Sequence, residues 1–113
     1  MHEFGIAEGL LGAVIEKARE IGAPRVVSIK LQIGALSGVE IDALTFAFTA
    51  ISVNTPAEHA ELKIETIPAS CYCLDCDLLF ECAPAAYACP SCQQVSPDMR
   101  TGRELKLVSM EVD

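Results

Sequence analysis

Six cysteines fall between Cys71 and Cys92, and the rest of the 113 residues has none. Four of them form two matched pairs, Cys73-Leu-Asp-Cys76 and Cys89-Pro-Ser-Cys92, with 12 residues between Cys76 and Cys89. A tight turn between paired cysteines aims both sulfurs at one ion, and two such turns complete a tetrahedron. Four soft thiolates with no redox demand suit zinc, one ion per chain. A closed four-sulfur shell leaves no open position, so the expected site is structural rather than catalytic. The surrounding block is poor in apolar residues beyond Leu78, Leu79, Phe80 and Tyr87. Metal binding is therefore expected to supply its folding energy.

Cys71 and Cys82 are left over. The plain reading makes them small, partly buried thiols. Two alternatives stay open. Cys71 lies two residues before Cys73 and can compete for the ion, or the extra thiols form a redox pair. A thioredoxin-like enzyme would need one reactive C-x-x-C pair, not two matched ones.

A second candidate site opens the chain, in Met1-His2-Glu3. A free terminal amine, the amide nitrogen of His2 and its imidazole can wrap one cation in fused chelate rings. Planar nitrogen donors suit Ni(II) or Cu(II), with a fourth donor supplied from elsewhere. The bulky His2 favours retention of Met1. The competing reading makes His2 an exposed terminal residue and Glu3 a favourable charge in the first helical turn. His59, in "TPAEHAEL", reads as an exposed loop residue.

These candidates need a frame. Phe4, Ala7, Leu10, Leu11, Val14, Ala18 and Ile21 recur at helical spacing, and Gly22 and Pro24 stop that helix. "RVVSIKLQIG" alternates as a half-buried strand, with Val27, Ile29, Leu31 and Ile33 facing the core. Ile41, Leu44, Phe48 and Ile51 mark a second helix, with Phe46 and Ala47 widening its stripe. "ELKIETI" and "ELKLVSMEV" read as two further strands, one on each side of the cysteine block. The expected fold class is α+β: two helices packed on a small three-stranded sheet, with an inserted zinc-ribbon domain. The expected organisation is a nickel-binding α+β domain over 1–69 and 101–113 and a zinc-binding domain over 70–100.

The formal net charge of -8 disfavours nucleic acid and anionic membranes, which select clustered Lys and Arg. No apolar run has the ~18 residues needed to span a bilayer, and the first helix lacks the basic start and cleavage site of a signal peptide. A cytoplasmic location is expected.

The whole set resembles one family. "MHE" opening into an amphipathic helix, "RVVSIKLQIGALSGVE", "TPAEHAELKIE" and "CPSC" occur in the order found in HypA/HybF nickel metallochaperones, which mature [NiFe] hydrogenases. The resemblance implies a nickel site using the amine of Met1 and His2, with Glu3 nearby. It implies zinc on Cys73, Cys76, Cys89 and Cys92. It also implies transient Ni(2+) as cargo, a HypB-type GTPase and a hydrogenase large subunit precursor as partners, and no catalysis. Some members also serve urease. His59 stands where the family commonly has glycine. The alternative function is a zinc-ribbon adaptor or regulatory module without nickel transfer.

Overall fold

A computed structural model describes residues 2–83 and 86–113. In chain order its elements are α1 (Glu3–Glu20), β1 (Val26–Gly34), α2 (Ile41–Ile51), β2 (Glu61–Ile67), β3 (Ser70–Cys73), β4 (Leu78–Glu81), β5 (Met99–Thr101) and β6 (Leu105–Val112). One three-stranded sheet has the order β2-β1-β6, so the last strand does return to the first. A second three-stranded sheet, β4-β3-β5, is built within the cysteine block and the chain just after it.

The buried line of α1 runs through Glu3, Ala7, Val14 and Ala18. Steps of four, seven and four keep these residues on one face of a 3.6-residue turn. Phe4 and Ile21 were expected on that stripe and are instead 52% and 56% exposed. Phe4 lies about 100° around the helix from Glu3, and Ile21 is already the C-cap, where the chain turns away. The helix ends as a Schellman motif. Gly22 takes φ 70, its N–H donates to the Arg19 carbonyl at 3.1 Å, and Ala23 N–H donates to Ala18 at 2.9 Å.

In β1 the residues Ile29, Leu31 and Ile33 are buried as their alternation predicts. Val27 departs from it at 44% exposed. On the opposite face Ser28 is buried, and its hydroxyl donates to Glu111 of β6 at 3.1 Å. In α2 the buried residues are Leu44, Ala47 and Phe48. Phe46 does not widen this stripe and stands 77% exposed. It is two residues, about 200°, from Leu44.

The chain divides into two compact units. The first comprises Met1–Leu31, Val39–Ile64 and Leu107–Asp113. Helices α1 and α2 pack on each other there, and its core draws Val14, Val26, Ile29, Leu31, Leu44 and Phe48 to near-complete burial. Each such side chain contributes about 1.5–3 kcal/mol relative to exposure. The helix–strand connection is built rather than loose. Thr55 Oγ1 donates to the Ser52 carbonyl at 2.6 Å and accepts from Ala57 N–H at 3.1 Å, and Ala57 is fully buried.

The second unit comprises Gln32–Gly38 and Glu65–Lys106. Its buried cluster is Cys71, Cys73, Phe80 and Cys89, with Cys76, Leu78, Cys82, Tyr87, Cys92 and Met99 packed against it. Backbone meets backbone at Gly34, where a Cβ would lie 2.2 Å from both the carbonyl carbon and oxygen of Gly102. Around that contact Gly34 N–H donates to Glu104 at 2.8 Å, Ala35 N–H to Ile67 at 2.8 Å and Leu36 N–H to Gly102 at 2.6 Å.

Candidate metal centres

The first cysteine pair belongs to a hairpin. β3 and β4 run antiparallel with Cys73 opposite Leu78, so Cys73 ends one strand and Cys76 sits in the turn. Asp77 closes that turn at φ 50, and its carboxylate accepts from the Tyr72 hydroxyl. The second pair stands in a turn of the same span. Cys89 N–H donates to Gln94 at 2.8 Å, and Gln93 N–H returns to the Cys89 carbonyl at 2.8 Å with Gln93 at φ 70. In both turns the residue after the second cysteine is left-handed, and in neither is it glycine. Ser96 braces the two segments: its hydroxyl donates to the Tyr72 carbonyl at 2.5 Å and accepts from Asp98 N–H at 3.2 Å.

The four sulfurs of Cys73, Cys76, Cys89 and Cys92 all lie within 4.8 Å of one another. Cys73 and Cys92 Sγ are 3.7 Å apart, close to the edge of about 3.8 Å that a tetrahedron with 2.3 Å metal–sulfur bonds requires. Cys73 and Cys89 are buried, and Cys76 and Cys92 are half-buried. The donor set fits one thiophilic ion with no vacant position. Its proton chemistry fits as well. The backbone N–H groups of Cys92 and then Ser91 hold the Cys89 thiol down to about 7. A hydrogen bond with the Cys92 thiol pushes Cys76 up to about 12. Thiols that share protons in this way release them when an ion takes their place.

Cys71 and Cys82 do not join this group. Their sulfurs lie 3.2 Å from each other, and burial, then the Cys82 thiol, pushes Cys71 up to about 11. The alternative in which Cys71 competes for the ion finds no support in this geometry, since Cys71 is absent from the convergent cluster.

At the other candidate site, Met1 lies outside the described residues. His2 is exposed and caps α1, with its carbonyl accepting Ile6 N–H at 2.8 Å. Glu3 is 4% exposed and accepts Glu40 N–H at 2.9 Å, which ties the start of α1 to the start of α2. A carboxylate thus occupies the apolar line of the helix. Its spacing was legible in the sequence, but its charge hid it. His59 is exposed with φ 69, a left-handed conformation that glycine adopts without strain. No helix among the described residues is long and apolar enough to cross a membrane.

Residues 1–112 match the family model described as "Hydrogenase/urease nickel incorporation, metallochaperone, hypA". The chain is 41% identical over 113 residues to a hydrogenase maturation factor HypA of Chlorobaculum parvum, covering all of both chains. It is 40% identical over 112 residues to one from Picosynechococcus sp., covering 99% of each. Among solved structures, the nickel metallochaperone HypA from Helicobacter pylori aligns with a TM-score of 0.69 at 24% identity, over 99% of this chain and 97% of that one.

Proposed function

The chain belongs to the HypA family of nickel metallochaperones for hydrogenase maturation, and from that premise we propose that it carries Ni(II) at its own amino terminus. The family is one of carriers, not enzymes, and its role implies contact with other maturation components. In this reading the amine of Met1 and the nitrogens of His2 hold nickel, with Glu3 beside them. Cys73, Cys76, Cys89 and Cys92 hold one structural Zn(2+). The nickel-binding part is the α+β segment over 1–69 and 101–113, and the zinc-binding part is 70–100. Nickel passes to the hydrogenase large subunit precursor with a HypB-type GTPase, in the cytoplasm.

The observation that carries the reading is the family match reaching residue 1. The geometry supports it in two ways. The four-cysteine cluster can close completely on its ion, so it is a poor exchange site. His2 is exposed at the start of a helix whose first turn is anchored through Glu3 and Glu40. An incomplete nitrogen set on a fixed support binds and releases, as delivery requires. Both the amine and the imidazole must be deprotonated, so affinity falls in mild acid.

The test titrates Ni(II) into zinc-loaded protein in three forms: the native terminus, His2→Ala, and a chain with two extra residues before Met1. Nickel affinity should drop at least about tenfold in both altered forms, since losing even a partner that only orients a ligand costs about 10–100-fold, while zinc stays at one per chain. Equal nickel affinity in all three forms would overturn the terminal site and leave a zinc-ribbon module.

A further inference from the structure

The register of β3 and β4 accounts for the two cysteines outside the metal cluster. Cys71 pairs with Phe80, and Ser70 with Glu81. Cys82 N–H donates to the Ala69 carbonyl at 3.0 Å, which continues the ladder by one residue beyond β4. Phe80 and Cys82 are two apart and so face the same side as Cys71. Cys71 and Cys82 are therefore diagonal neighbours across the hairpin, and their sulfurs meet at 3.2 Å. Cys71 is 1% exposed, whereas Cys82 is only half-buried. Among the described residues, the only group of three or more His, Cys, Asp or Glu side chains that converge within ligating reach is the four-cysteine cluster. The pair thus has two sulfurs and no third donor, which disfavours a second zinc and suits sulfur–sulfur chemistry.

We propose that Cys71 and Cys82 form a dithiol site that exchanges with low-molecular-weight disulfides while the four metal-cluster thiols remain reduced. Cys82, the accessible partner, attacks one sulfur of the small disulfide as thiolate and expels its other half as thiolate. Cys71 then attacks the mixed disulfide at the Cys82 sulfur. The Cys71–Cys82 bond forms, the Cys82–ligand bond breaks, and the second half leaves. The two protein thiols give up two electrons and two protons, and the small disulfide leaves as two thiols. The buried Cys71 meets no external reagent directly, so it acts as the resolving thiol. The sulfurs need close by only about 1 Å to reach a bond of roughly 2.05 Å. The four ligand thiols are withheld from the same chemistry when zinc holds them, because their lone pairs are engaged by the ion.

The bond would staple the hairpin in which Cys73 ends a strand and Cys76 sits in the turn. It thereby fixes the first half of the metal cluster by a route independent of the ion. This proposal does not depend on nickel binding.

The test equilibrates the zinc-loaded full chain in mixtures of reduced and oxidised glutathione, then quenches with acid and maps thiols by mass spectrometry. The expected first product has lost two thiols, contains a linked Cys71–Cys82 peptide and retains one zinc. A thiol reductant restores it. Cys71→Ser should stop at a glutathione adduct on Cys82. Cys82→Ser, at the less buried position, should give neither adduct nor link under the same mixture. The proposal is overturned if a zinc ligand is the first thiol lost, or if Cys71 and Cys82 both stay reduced until zinc is released.

Discussion

The two compact units hide different materials. In the first, buried positions are filled by Val14, Ile29, Leu31, Leu44 and Phe48, which need only be taken out of water. In the second, three of the four buried hydrophobic cluster members are cysteines, with Phe80 as the lone large side chain. Thiols of that size bury little area and leave sulfur lone pairs that four-way convergence turns into a metal site. The difference teaches that one chain can stabilise adjoining stretches by unrelated means. One stretch depends on area, and the other brings together four thiols that fit an ion.

The contrast is broken most forcefully by taking the ion away. Cys89→Ser, or a strong chelator, should abolish zinc binding, a term of about 10–16 kcal/mol in small zinc modules. Amides of 65–106 should then exchange freely, while those of α1 and α2 stay protected. Simultaneous loss of protection in both regions, followed by hydrogen-exchange mass spectrometry, would show that the units are not separately stabilised. Acid should act in the same direction. Cys89 sits at about 7 through its backbone N–H donors, and Cys76 is pushed up to about 12 by its hydrogen bond with the Cys92 thiol, so protons compete with the ion increasingly as pH falls below neutral.

The reciprocal perturbation is Phe48→Ala. Phe48 is 1% exposed, and truncating it should cost about 3–5 kcal/mol through lost transfer energy and the cavity left behind. Denaturant unfolding of the zinc-loaded protein should show the loss, and zinc content at equilibrium in buffer should stay at one per chain.

The smallest change sharpens the comparison instead of breaking it. His59→Gly removes a Cβ from a left-handed position and should raise the thermal midpoint slightly. The gain is about 0.5 kcal/mol, because glycine's greater freedom in the unfolded chain offsets part of the relieved strain. Zinc content should not respond.

What could be read in advance follows physical lines. The four metal-cluster cysteines were legible because C-x2-C is a local spacing, and local spacing survives folding. The helices and outer strands were legible wherever periodicity had two or more turns to declare itself, as along Ala7, Val14 and Ala18. Failures came at edges. Phe4, Ile21 and Val27 are apolar residues within two positions of an element end, and each is exposed although the pattern runs through it. Phe46 shows that apolar type alone does not place a residue on a helix face. Asp77 and Gln93 hold left-handed turns without glycine, so composition gave no sign of them. The Cys71–Cys82 contact depends on strand register, and that is fixed only when Cys71 lies opposite Phe80. The terminal nickel ligands rest on resemblance and on chelate chemistry.

The meeting of Gly34 with Gly102 has a consequence for heredity. The obstacle to a side chain at Gly34 is main chain, the carbonyl of Gly102 and the nitrogen of Arg103, and main chain cannot be exchanged for something smaller. Gly102 is held in turn, at φ 128 with Ala69 Cα 2.9 Å from where its own Cβ would stand. No second mutation elsewhere can make room at either place by trimming a neighbour. The two codons, one before the cysteine block and one after it, are therefore bound to a single fate: a side chain gained at either one costs the crossing that both permit.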